Sequence, residues 1–104
     1  MTDMEEHIKK YMVEFEVPYY FDENLEALLE QQKHLLSDYF LEGKIFSCTV
    51  SKDQTRLWMI MLADSESELL TIIDSLAVSQ FCEYDYAEIM THSAVQFIPD
   101  YSLN

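Results

Sequence analysis

Between Lys9 and Val17 the side chains alternate in character. Tyr11, Val13, Phe15 and Val17 fall on one face, and Met12, Glu14 and Glu16 on the other. A period of two marks a strand, and Pro18 ends it. From Asp22 to Gly43 the period becomes helical: Leu25, Leu28, Leu29, Gln32, Leu35, Leu36 and Tyr39 share one stripe. The pattern predicts one helix here, with Asp22 as its N-cap, Glu23 in its first turn and Gly43 as its C-terminal glycine.

The run KIFSCTVS, Lys44 to Ser51, is rich in strand formers. The polar turn KDQT separates it from RLWMIMLA, Arg56 to Ala63, which predicts a hairpin. Ser65 and Glu68 then form a capping box before a second helix, whose apolar set is Leu69, Leu70, Ile72, Ile73, Leu76 and Ala77. A short connection, VSQFC, leads to a last strand over Glu83 to His92. Residues 1–8 are polar and expected to fray, and residues 93–104 form a C-terminal arm containing Pro99.

The resulting order, β-α-β-β-α-β, predicts one α+β domain over residues 9–92 with a ferredoxin-like arrangement. Four antiparallel strands would carry two helices on one face, with the first and third strands in the middle. The third strand then poses a problem of cover. LWMIMLA, Leu57 to Ala63, holds no polar residue: Trp58, Ile60 and Leu62 take one face, and Leu57, Met59, Met61 and Ala63 the other. Helices cover only one of these. Exposed apolar patches of several hundred Å² mark interaction surfaces, so a homodimer formed through the bare sheet face is expected. A long ligand or a folded-back C-terminal arm is the competing cover.

Composition narrows the partners. The chain of 104 residues is 49% apolar, enough for a core without staples, and carries 20 Asp plus Glu against 6 Lys plus Arg, a formal charge of −14. Such a surface repels phosphate backbones and anionic membranes, so neither nucleic acid nor a membrane is an expected partner. The start, MTDMEEHIKK, lacks an apolar leader and predicts a cytoplasmic protein. Cys48 and Cys82 stand far apart in apolar contexts and read as reduced structural thiols. His7, His34 and His92 have no ligand-like spacing, so no metal is expected. Gly43 is the only glycine, which excludes a glycine-rich nucleotide cradle, and no cofactor is implied.

Several residues are candidates for chemistry. Gln32 interrupts an apolar stripe; it reads either as a core amide bonded to a tyrosine hydroxyl or as the lining of a pocket between the first helix and the sheet. Tyr39, Trp58 and Tyr84 are the other expected lining residues, with Trp58 read first as core. Glu14 and Glu16 share a strand face, a spacing that suits acid–base work or a cation, or else a rim or dimer-crossing contact; no Lys or Arg lies near them in sequence. Tyr84, Tyr86 and Glu88 share a face of the last strand and would bind and protonate a lactone or enol, or simply edge the core.

The alternating YMVEFEV, the EGK of Glu42 to Lys44, and ESELLTIIDSL leading through QFCEYDY into the last strand give the chain a likeness to a known family. Across residues 9–92 it resembles the muconolactone isomerase family. That resemblance implies a dimeric α+β barrel, able to assemble into rings of dimers, and a cofactor-independent isomerase. Two departures stand out. Ala77 occupies the place of a common proline. The family's proton-moving carboxylate on the first helix falls at Gln32, or at Glu30 with a shift of register. An amide is no general base near neutral pH, so any proton transfer would pass to Glu14, Glu88 or Tyr86.

Two functions follow. One is an isomerase or lyase acting on a small organic acid or lactone. The other is a non-catalytic ligand-binding or assembly module with the same barrel. Lys9, Lys10, Lys33, Lys44, Lys52 and Arg56 supply no clear cation on an apolar face, which favours the module or a neutral ligand.

Overall fold

The computed structural model describes residues 8–19 and 24–90. Strand β1 spans Lys9–Glu16 and buries every second residue, as its alternation predicts. Helix α1 covers Leu25–Gln31 and helix α2 covers Lys33–Glu42. Strands β2 (Ile45–Val50) and β3 (Arg56–Ala63) form the expected hairpin. Helix α3 (Glu66–Ser75), a short α4 (Val78–Phe81) and β4 (Glu83–Ile89) complete the order.

The fold is α+β with one open, four-stranded antiparallel sheet, ordered β2-β3-β1-β4. Strands β1 and β3 therefore occupy the middle. Tyr11, Val13 and Phe15 of β1 join Leu57, Met59 and Met61 of β3 in a single apolar core with Leu25, Leu28, Leu36, Leu69, Ile72 and Ile73 of the helices. All the helices thus serve one sheet face. Each such side chain, fully buried, contributes roughly 1.5–3 kcal/mol. Among the described residues no polar or charged side chain is buried in this core.

Four local features differ from the expectation. The predicted first helix is two helices, because Gln32 adopts φ −109° and ψ 23° between them. No glycine or proline stands there, so the sequence carries no warning. The N-cap is Asn24, not Asp22, which lies outside the described residues. Asn24 has extended backbone, and its Oδ1 accepts from the amides of Glu26 at 2.7 Å and Ala27 at 3.3 Å. Finally, β4 ends at Ile89, and VSQFC winds into α4. His92 and the arm of residues 93–104 lie outside the described residues.

Other signals act as their chemistry requires. Gly43 sits at φ 76°, in the left-handed region. Its amide reaches Phe40 O at 3.1 Å, and the Lys44 amide reaches Tyr39 O at 2.9 Å, closing α2 in a Schellman motif. Ser65 Oγ accepts the Glu68 amide at 3.1 Å. The Glu68 carboxylate turns back to the Asp64 amide at 2.7 Å and takes Lys44 Nζ at 2.9 Å. One side chain therefore ties the start of α3 to the end of α2.

Candidate functional site

An open groove remains between α1 and β2, where a pocket was expected, and none of Gln32, Tyr39, Trp58 or Tyr84 lines it; toward the central strands the space is filled by the core. Gln32 lies half-buried at its edge and is committed to α3. Its Nε2 donates to Ser75 O at 3.3 Å, and its Oε1 accepts the Ala77 amide at 2.6 Å. The last carbonyls of a helix lack intrahelical partners, and the amide supplies one. Tyr39 joins the same junction: Ser75 Oγ donates to Ile72 O at 2.6 Å, so the Tyr39 hydroxyl, 2.7 Å away, donates to Ser75 Oγ. Gln32 is thus a bonded structural amide, but its partners are backbone groups rather than a tyrosine. Among the described residues no buried side-chain nitrogen or oxygen lacks a partner.

The other expected lining residues point elsewhere. Tyr84 packs on Phe15, ring centroids 5.8 Å apart, on the helix side of the sheet. Trp58 lies on the opposite face. The four therefore do not converge on one cavity.

Tyr86 and Glu88 do meet other titratable groups. The Tyr86 ring packs edge-on against Tyr11, with centroids 6.2 Å apart, and its hydroxyl donates to Glu66 Oε2. That bond to Glu66, with some desolvation and charge repulsion, pushes the Tyr86 phenol up to about 12. Tyr11, paired with Glu88 across the strands, is also raised, first by burial and then by Glu88 and Glu66. A phenol held this firmly is a hydrogen-bond donor and a poor base.

On the outer face, Met12, Glu14, Ser47, Thr49, Trp58 and Ile60 line a shallow depression of about 560 Å³. Glu14 is not without a cation. Arg56 Nη1 pairs with Glu14 Oε2, and Nη2 lies 3.6 Å from Glu16 Oε2. The β1–β3 register causes this by setting Arg56 opposite Glu16. One guanidinium thus serves both carboxylates, a geometry that holds charge in place rather than freeing a base. Glu30, the alternative carboxylate, sits in a wide groove of about 710 Å³ between α1 and the β2 edge, and pairs with Lys33 at 3.2 Å.

Both cysteines are free, and burial raises both thiols, which keeps them protonated and unreactive. Among the described residues no group of three His, Cys, Asp or Glu is placed to hold a metal ion, and no helix is long and apolar enough to cross a membrane. No family model matches this chain, and no curated protein matches its sequence.

The feature that sequence reasoning left open is which β3 face the helices cover. Leu57, Met59, Met61 and Ala63 face the helices. Ile60 is only 5% exposed yet stands apart from the core cluster. It lies at the centre of the outer face, in the cross-strand row Ser47–Ile60–Met12–Ala87, with Trp58 and Leu62 half-buried on either side. Met12 is 37% exposed and Phe46, at the β2 bulge, 58%. No described helix covers this surface.

Proposed function

We propose that this chain is a pairing module. In this reading it is a ferredoxin-like subunit whose open sheet face meets the same face of a second copy, forming a dimeric α+β barrel of the muconolactone isomerase kind without the isomerase chemistry. The observation that carries the proposal is the outer-face apolar set of Met12, Trp58, Ile60 and Leu62, which stands apart from the core cluster and has no described helix over it. A second copy of the same sheet face is a cover of matching shape and chemistry; the competing cover, the arm of residues 93–104, lies outside the described residues.

The enzyme reading loses support at three residues. Gln32, where the family resemblance places a carboxylate, is an amide spent on the end of α3. Glu14 is held by Arg56. Tyr86 is held by Glu66. A small neutral ligand would find its place between the paired sheets, over Trp58, rather than under the helices.

Sedimentation velocity across nanomolar to high micromolar concentration tests the proposal. A reversible shift to twice the chain mass of 12.3 kDa is expected. A single-chain mass throughout would overturn it.

A further inference from the structure

The outer face is charged asymmetrically along its strands. One end carries Lys10. The other carries Glu14 and Glu16 of β1, Arg56 of β3, and Glu83 and Asp85 of β4, a net acidic group. The described β2 residues add only the hydroxyls of Ser47 and Thr49 between these ends. Lys10 and Glu14 stand two residues to either side of Met12, about 7 Å along the strand in each direction. Trp58 and Leu62 stand likewise about Ile60, the residue paired with Met12.

From this pattern we infer the register of the dimer: its two-fold axis crosses the strands over the Met12–Ile60 row, so that Lys10 of each copy lies on Glu14 of the partner subunit. The inference rests on the pairing proposed above. The same rotation lays Leu62 on the partner's Trp58 and Ile60 on the partner's Ile60, so the apolar rows coincide when the charges do. The alternative axis, along the strands between β1 and β3, would set Lys10 on the partner's Leu62 and Glu14 on the partner's Trp58, with no opposite charge of the partner facing either, and would gather the carboxylates of both copies at one end. On a chain of net charge −14, that arrangement adds repulsion where apolar contact must form.

A charge swap tests the register by sedimentation. Lys10→Glu alone and Glu14→Lys alone each set like charges against each other twice, and each should weaken dimerisation at least about tenfold. An equimolar mixture of the two variants makes opposite pairs at both contacts and should dimerise close to wild type. Asp85→Lys, beside Glu14 on β4, substitutes for Glu14→Lys if loss of the Arg56 pair unfolds that variant. Single variants that dimerise like wild type, or a mixture that stays weak while both chains are folded by circular dichroism, would overturn the register. Wild-type protein that never dimerises would instead sink the pairing proposal itself.

Discussion

The side-chain oxygen of Gln32 accepts the Ala77 amide at 2.6 Å, across a gap of 45 residues. With the Ser75 carbonyl on its nitrogen, the amide joins the α1–α2 break to the end of α3. Gln32→Ala removes both bonds and leaves two backbone groups to find water. The expected loss is about 1–3 kcal/mol in urea unfolding.

Gln32→Glu separates this structural role from a catalytic one. Its carboxylate keeps the Ala77 contact but faces the Ser75 carbonyl with no proton to donate. The variant should be less stable than wild type at pH 7, and the deficit should narrow as the new acid protonates near pH 4. It should gain no lactone isomerisation in a spectrophotometric assay; activity in a folded variant would restore the enzyme reading.

Gly43 is required for its backbone alone. At φ 76° a side chain is strained, yet a Cβ built there meets nothing within 4 Å. Gly43→Ala should therefore cost about 1 kcal/mol, with no steric addition. Asparagine, which tolerates this region, should cost less. Thermal unfolding should lower Tm by roughly 4–8 °C for each kcal/mol lost.

Most of the frame was legible in the residues. The alternation around Tyr11, Val13 and Phe15, the Ser65–Glu68 pair and the lone Gly43 are local signals, and local physics sets them. What escaped depends on distant contacts. Nothing in QQKH marks a helix break, because the partner of Gln32 lies on α3. Arg56 is 42 residues from Glu14, so only the strand register reveals that they pair. Which β3 face meets the helices could not be read from LWMIMLA, since both faces are equally apolar; Ile60, buried but outside the core, distinguishes them only in three dimensions.

Glu68 gives the fold an acid dependence. The Asp64 amide, then Lys44, hold its carboxyl below its ordinary value of 4.5. The folded state thus binds the proton less readily than the unfolded chain does. The stability it contributes is complete above about pH 4.5 and is lost as pH falls through the lower folded value. Glu68→Gln lacks this contribution at every pH. The gap between wild type and variant in chemical denaturation should close below pH 4.5, and a gap that persists there would contradict the assignment.

Tyr86 acts at the other extreme. Its phenol is pushed from an ordinary 10.0 up to about 12, because the hydroxyl donates to Glu66 and so keeps its proton. Between these values the folded chain binds more protons than the unfolded chain, so stability should fall as pH rises from 10 to 12. Tyr86→Phe should flatten that fall. It should also remove a component near pH 12 from the tyrosinate absorbance titration.

Met12 is the residue through which pairing can be broken without harming the subunit. It sits mid-face beside Ile60 but is 37% exposed and contributes nothing to the helix-side core. Ile60→Asp would bury a charge at a site 5% exposed in the chain itself and confound dissociation with unfolding. Met12→Asp instead keeps its charge in water while the chain is alone, and desolvates it only when a second sheet arrives. The variant should retain a wild-type circular dichroism spectrum and sediment as a single chain at concentrations where the parent is paired. Its unfolding midpoint should lose the dependence on protein concentration that a dimer imposes. A Met12→Asp protein that still pairs like wild type would place the interface elsewhere and return the outer face to solvent.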